Sequence, residues 1–375
     1  MIFDLVVIGS GSVGSAAAFY ATKAGLKVLA IDSGNPPHDQ ASHHGETRLI
    51  RHAYGEGLQY VPMVLRAQQL WYELKQLGGK RIMHKCGLIS LAPDDGKFIG
   101  NVIESARKYN LPLEILPSSA VMQRWPQINM PNDYIGVFEA DSGYLKCETA
   151  ISHYIRLAKK AGCVQLFNTC VTGVSRDGEI EKVHTVSGEH FGRKVLFSAG
   201  TWLTKILPEL PVQPVRKVFS WHQSDDDYNE CNHFPGFIVT LPNGDNYYGF
   251  PANENVLKIG KHNGGQSINS ADERKPFGEF ADDNTEVVEI LGQFFPGVGA
   301  CLFGKSCTYD LTADDDFIID TQPGEPNRLI ISGLSGHGFK FASVLGEIAA
   351  TFAQGKSVSF DLTPFALARF KQNKA

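Results

Sequence analysis

The stretch Leu5-Val6-Val7-Ile8-Gly9-Ser10-Gly11-Ser12-Val13-Gly14-Ser15-Ala16-Ala17-Ala18 decides how this chain folds. It begins as a short apolar run, mostly β-branched, and passes through G-x-G-x-x-G into a run of small residues. Gly25 ends that segment, a second apolar run Val28-Leu29-Ala30-Ile31 follows, and Asp32 closes it. Strand, glycine turn, helix, strand, acid is the order that a dinucleotide-binding βαβ unit requires. Gly9 permits the tight turn, Gly11 lets the backbone approach a pyrophosphate, and Gly14 lets the helix pack closely on the strand. The helix N-terminus offers free N–H groups and a partial positive charge to the phosphates. Asp32 is placed to accept hydrogen bonds from a ribose. A glycine-rich turn with no ligand is the alternative, and it does not account for strand, helix and acid all falling in place.

Working outward, 375 residues are too many for one small core and imply two domains or one elaborate one. A hydrophobic share of 43% and a charged share of 20% are those of an ordinary folded chain. A net charge of −5 argues against a general nucleic-acid binder. No apolar stretch approaches the roughly 20 residues that span a bilayer, so no membrane association is expected. Asp4 stands where a signal peptide would be basic. Seven cysteines, scattered and without C-x-x-C, fit free thiols in a cytoplasmic protein and neither a disulfide framework nor a metal site. The C-terminal Lys371–Ala375 is a polar tail with no recognisable address.

Apolar spacing predicts helices over Tyr60–Leu77, Phe98–Tyr109 and Thr149–Ala161, the last with a basic final turn and Gly162 as its stop. If a helix continues from Thr47, Arg48 and Arg51 share a face. Residues 170–187 read as a hairpin, Val215–Cys307 as β-rich, and the acidic runs Asp225–Asp227 and Asp314–Asp316 as solvated loops. α/β character returns at Phe317–Asp320 and Leu329–Gly333, before the turn Gly333-Leu334-Ser335-Gly336-His337-Gly338 and a helix over Lys340–Gly355. That turn is a second anion-friendly helix N-terminus or an ordinary strand-to-helix loop. Two such turns suggest a long cofactor gripped along its length, such as FAD. The expected fold is α/β (α+β), with a discontinuous FAD-binding part (1–80, 145–215 and 315–375) and a β-rich substrate part (81–144 and 216–314).

Several longer motifs carry more. They are Ser42-His43-His44-Gly45-Glu46-Thr47-Arg48-Leu49-Ile50-Arg51-His52-Ala53-Tyr54-Gly55-Glu56-Gly57, Tyr247-Tyr248-Gly249-Phe250-Pro251, Leu257-Lys258-Ile259-Gly260-Lys261-His262, Cys307-Thr308-Tyr309-Asp310, and Gly333 to Phe341. Through these, and along its full length, the chain resembles the monomeric sarcosine oxidase and N-methyltryptophan oxidase family of covalent flavoproteins. The resemblance implies a Rossmann-like FAD domain of the glutathione-reductase/D-amino-acid-oxidase type with a β-rich substrate domain inserted. It also implies a monomer that acts on a small N-methyl amino acid with O₂.

The same resemblance implies roles residue by residue. Gly9, Gly11, Gly14, Asp32, Ser42 and Gly336 bind FAD, and Cys307 tethers it through a thioether. Attachment needs a thiolate, which Lys305 two residues earlier would favour; by the residues alone Cys307 reads as a small buried apolar group. Arg48 lies against the flavin, and Arg51 with Lys340 holds the substrate carboxylate, for which an arginine fork and a point-charge lysine are suited. By the residues alone, the two arginines read as partners in surface or structural salt bridges. Lys258 activates O₂, because a fixed ammonium stabilises the superoxide formed by the first electron transfer; its place in an apolar strand is equally that of a lysine facing solvent. His262, Tyr248, His44 and Tyr309 match positions on the substrate face.

The implied reaction is oxidative demethylation to the free amino acid, formaldehyde and hydrogen peroxide. Overall similarity, especially at Pro251–Asn255 and Lys261–Gly265, favours N-methyltryptophan over sarcosine as substrate. A flavin dehydrogenase that does not use O₂ would look alike around the nucleotide. An NAD-dependent dehydrogenase accounts for Gly9 to Asp32 and leaves Cys307 and the far glycine turn unexplained. A nucleotide-sensing regulator without catalysis would also use the first 32 residues.

Overall fold

The structure, a computed structural model, describes residues 1–374, so that Ala375 at the end of the polar tail lies outside the described residues. Ile2–Ile8 is the central strand of an eight-stranded sheet. It pairs in parallel with Val28–Ile31 on one side and with Gly188–Phe197 on the other, in register Val6↔Val195. Val164–Leu166 extends the sheet beyond Val28–Ile31. On the far side Glu325–Ser332 pairs in parallel with the end of Gly188–Phe197, whose beginning continues the antiparallel ribbon Val171–Asp177 and Ile180–Thr185.

Strand alternation explains why this run is apolar throughout. Leu5 and Val7 face a core built with the helices Ser12–Lys23, Val61–Gln76, Cys147–Lys160 and Ala342–Ala353, while Val6 and Ile8 face a second core with Phe197, Leu203 and Leu207. The small residues after Gly14 serve a close helix crossing. A Cβ on Gly346 would lie 2.5 Å from the Ala16 Cβ.

A second, nine-stranded sheet takes its strands from Leu88–Pro93, Glu114–Pro117, Tyr134–Glu139 and the region from Gln213 to Leu311. Its long strands Gln213–Ser224 and Val298–Leu311 are antiparallel, and Gln213–Ser224 also pairs with Val256–Lys261. Period-two alternation sorts these residues. Leu257, Ile259, Phe237 and Val239 turn into an apolar core with Ile290, Phe294 and Phe295. The register Lys217↔Cys307, Val215↔Tyr309, Phe219↔Gly260, Trp221↔Lys258 and Tyr248↔Gly260 puts Lys217, Phe219, Trp221, Lys258, Cys307, Tyr309 and Tyr248 on the opposite face. That face carries the site.

One expectation differs from the structure. Thr47–Ile50 is a strand and not a helix, paired antiparallel with Gly143–Lys146 in a three-stranded sheet completed by Met83–His84. Arg48 belongs to that strand, and Arg51 follows where pairing ends, so cross-strand pairing decides the conformation of this segment. The domain boundaries at 145 and 215 fall inside the strands Gly143–Lys146 and Gln213–Ser224. Among the described residues no helix is long and apolar enough to cross a membrane.

Candidate active site

A cavity of about 330 Å³ starts at the glycine turn and is lined by Gly9, Gly11, Asp32, Ser42, Arg48, Tyr309 and Gly336, among others. Gly9 has φ +90°, and a Cβ there would meet the Ala199 Cα at 2.5 Å. Gly14 does not line the cavity; its missing Cβ is filled by the Gly9 carbonyl oxygen, 1.8 Å from where it would be. Gly11 differs. A Cβ there would meet nothing nearer than the His43 Nδ1 at 3.4 Å, so the space it leaves open belongs to the cavity.

The Asp32 carboxylate accepts from the Ser10 N–H (2.7 Å), the Gly34 N–H (2.9 Å) and the His38 Nε2 (3.1 Å) while still lining the cavity. Toward the other end Thr201 donates to Thr308 at 2.8 Å, and Ser42 lies 3.1 Å from the same hydroxyl. Among the described residues, the His43 Nε2, the Asp310 Oδ1 and the Ser332 Oγ on these walls are buried without hydrogen-bond partners. An open glycine at a helix N-terminus, an acid beyond the second strand and unmatched polar groups between fit a bound dinucleotide.

A second cavity, of about 200 Å³, shares Arg48, Tyr309, Gly336 and Phe339 with the first. Its lining combines polar side chains (Arg51, Glu56, His262, His337 and Lys340) with apolar ones (Leu49, Phe98, Ile238, Tyr247 and Phe250), and the Arg51 guanidinium lies 5.4 Å from the Phe98 ring centre. The Arg51 Nη2 donates to both Glu56 carboxylate oxygens, while among the described residues its buried Nη1 has no partner. Burial alone would raise the Glu56 carboxyl, but the Arg51 guanidinium holds it well below the usual carboxylate range. Lys340 is 6% exposed, and burial, reinforced by Arg51, pushes its proton affinity down to about 7. Burial also pushes His262 down to about 4 and Tyr248 up to about 12, so both are neutral at pH 7.

Arg48 marks the junction. Its guanidinium donates to the Thr47, Ser42 and His44 carbonyls at 2.8–2.9 Å and lies 5.6 Å from the Phe219 ring centre. Those fixed acceptors hold a permanent cation between the two cavities.

Gly14, His44, Lys258 and Cys307 line neither cavity. Lys258 does not face solvent: it is 3% exposed and donates to the Gly45 carbonyl (2.5 Å) and the Thr47 carbonyl (3.0 Å). The rings of Phe219, Trp221 and Phe250 surround it at 4.7–5.4 Å. His44 lies against Phe219, with its Nε2 3.1 Å from Arg274. Cys307 is 1% exposed, its thiol pushed up by burial and opposed by Arg48, Lys217, Lys258 and Arg274. Lys305 is an exposed residue whose Nζ lies 5.8 Å from the Trp221 ring centre, and the larger cationic influences on this thiol are Arg48, Lys217, Lys258 and Arg274.

Sequence reasoning missed Glu56, Tyr54, His337, Lys217 and Arg274 as parts of this site. An acid five residues after Arg51 was the available signal for Glu56. The others come together only through sheet register and the C-terminal turn. Among the described residues no group of His, Cys, Asp and Glu is arranged to hold a metal ion.

The family described as "DAO: FAD dependent oxidoreductase" matches residues 4–351. The N-methyl-L-tryptophan oxidase of Citrobacter koseri is 59% identical over 372 residues, covering 99% of this chain and 100% of that protein. The protein of the same name from Escherichia coli K12 is 57% identical over the same lengths. Among solved structures, NikD, an unusual amino acid oxidase essential for nikkomycin biosynthesis, superposes with a TM-score of 0.85 at 19% identity, covering 97% of each chain. Glycine oxidase from Geobacillus kaustophilus gives 0.80 at 19% identity, covering 98% of each. Both share the fold.

Proposed function

Because this chain belongs to the FAD-dependent oxidoreductase family, we propose that it oxidises N-methyl-L-tryptophan to L-tryptophan and formaldehyde, with O₂ reduced to hydrogen peroxide. The observation that carries this reading is the pair of joined cavities: one lined by the glycine turn and Asp32 meets, at Arg48 and Tyr309, one lined by Arg51 and Lys340 together with apolar side chains. The names of the relatives at 57–59% identity support the substrate.

Arg51, through its free Nη1, and Lys340 hold the substrate carboxylate. Leu49, Phe98, Ile238 and Phe250 receive the indole ring, leaving the N-methyl carbon toward the junction. FAD, when bound, supplies the two-electron acceptor for the hydride equivalent that leaves this carbon. Arg48 fixes positive charge where negative charge develops, and Lys258, held by the Gly45 and Thr47 carbonyls although burial and Arg48 push its proton affinity well down, is proposed to supply a second cation in the reaction with O₂. Water hydrolyses the resulting substrate imine.

Cys307 is proposed as the covalent FAD ligand, supported by the cations that oppose the effect of burial on its thiol. The protein is proposed to act as a cytoplasmic monomer, consistent with seven free cysteines. Oxygen uptake with N-methyl-L-tryptophan, sarcosine and N-methylalanine side by side tests the substrate, and a strong sarcosine preference would overturn it. Acid precipitation tests the tether. Yellow flavin should stay with the protein, and free flavin in the supernatant would rule the thioether out.

A further inference from the structure

Between the strand Thr47–Ile50 and the helical turn that begins at Leu58 the chain has no regular structure, yet Arg51 to Gly55 are buried. Buried irregular backbone is costly unless each N–H and C=O finds a partner. Among the described residues, none of residues 52–55 makes a backbone–backbone hydrogen bond. Side chains from elsewhere meet them instead. The Glu139 Oε2 accepts the His52 and Ala53 N–H groups, both at 3.0 Å. The Ser105 Oγ accepts the Tyr54 N–H at 2.7 Å, and the Asn101 Nδ2 donates to the Gly55 carbonyl at 2.9 Å.

Two of these side chains come from one helix, Lys97–Tyr109. Phe98, Asn101 and Ser105 follow one another at spacings of three and four, so they share one of its faces. Phe98 fits against Gly55, where a Cβ would meet its ring at 2.4 Å. Glu139 ends the strand Tyr134–Glu139. It is 3% exposed and forms no ion pair with a lysine or arginine among the described residues; the Ser142 hydroxyl donates to the same Oε2 at 3.1 Å. Its carboxylate is thus committed to the two peptides that follow Arg51.

The cradled segment carries polar groups of the second cavity. The Arg51 guanidinium lies 4.2 Å from the Tyr54 ring centre and donates to Glu56. Strand pairing at Ile50↔Gly143 fixes the backbone before Arg51, and Glu139 fixes it after. An arginine fork recognises a carboxylate through two parallel bonds, so a small displacement of its base is felt at the ligand.

We propose that Glu139, assisted by Asn101 and Ser105, positions Arg51 for the substrate carboxylate. None of the three lines either cavity, so they act through the backbone of residues 52–55. The proposal rests on the reading above, that Arg51 holds a carboxylate.

The test compares two ligands of the holoenzyme, with binding followed by the flavin spectrum. Indole-3-propanoate has the ring and a carboxylate but no amine, and indole-3-propanol has a hydroxyl in place of the carboxylate. Wild type should bind the acid more tightly. Glu139→Ala leaves two peptide N–H groups unpaired and should narrow that preference by about tenfold or more, with the alcohol changing by less than about threefold. Glu139→Gln keeps an oxygen acceptor and should retain most of the preference. Asn101→Ala, at a half-buried position that folding tolerates better, should narrow it in the same sense by about threefold and carries the test if Glu139→Ala does not fold. An unchanged preference in the alanine variants, or a Glu139→Gln protein as impaired as Glu139→Ala, overturns the proposal. If the wild type binds acid and alcohol equally, the carboxylate reading of Arg51 fails instead.

Discussion

Arg51 and Glu56 form a buried pair whose cation keeps one nitrogen for a ligand. Replacing Glu56 with Gln leaves the guanidinium buried without an anion, a change that costs about 3–5 kcal/mol in comparable pairs. A ligand carboxylate would restore the missing charge. Glu56→Gln should therefore melt earlier than wild type but gain more thermal stability from indole-3-propanoate; an equal ligand-induced shift in both proteins would remove Glu56 as the resident counter-charge. Lys258 is enclosed by two carbonyls and three aromatic rings, away from both cavities. Lys258→Met should slow oxidation of the reduced enzyme by O₂ far more than reduction of the flavin by substrate. Comparable losses in the two half-reactions, measured by stopped flow, would count against its oxygen role. At this scale the sequence was legible for Arg48, Arg51 and Lys340, whose types suit a carboxylate and an electron-rich ring. It was silent on Tyr54 and His337, since an isolated tyrosine or histidine has no sequence signature for its hydrogen-bond partner.

The glycine turn and the strands separate what an element needs from what a ligand needs. Gly14 is closed by backbone, Gly11 only by the edge of an imidazole at ordinary contact distance. Gly14→Ala forces a Cβ into the Gly9 carbonyl and should destabilise the fold by about 3 kcal/mol or more, with little soluble protein recovered. Gly11→Ala should fold with a melting temperature near that of flavin-free wild type and yet hold far less FAD, read as the ratio of flavin to protein absorbance. Equal loss of stability in both variants would show that Gly11 serves packing and not the cofactor. Thr47–Ile50 shows the limit of local pattern. Four residues read as helix or strand almost equally well, and pairing with Gly143–Lys146 settles it.

In the whole molecule, burying lysines couples stability to pH. Lys340 falls from an ordinary 10.5 to about 7, Lys217 to about 8 and Lys258 well below 10.5, all chiefly through burial. Between these values and 10.5 the unfolded chain holds protons that the folded chain does not, so stability rises with pH through this window, by up to about 1.4 kcal/mol per unit for each group. Equilibrium denaturation of flavin-free protein at pH 7 and pH 9 should show the rise, and Lys340→Met should lessen it while Lys217 and Lys258 keep their share; an unchanged slope in the variant would remove Lys340 as a source. Sequence by itself determined the nucleotide unit, because strand, glycine turn, helix and acid are local features with fixed spacing. It also determined, through long family-like motifs, which residue types the chemistry uses. Only the tertiary structure decided which of them meet. Lys258, Cys307 and Tyr309 share a face because two antiparallel registers align them, and Arg48 reaches both cavities because a strand and not a helix carries it. The lowered proton affinity of Lys340 depends on burial and on Arg51, brought to it from the opposite end of the chain. Register, burial and hydrogen-bond direction are properties of the packed molecule, and no spacing along the chain encodes them.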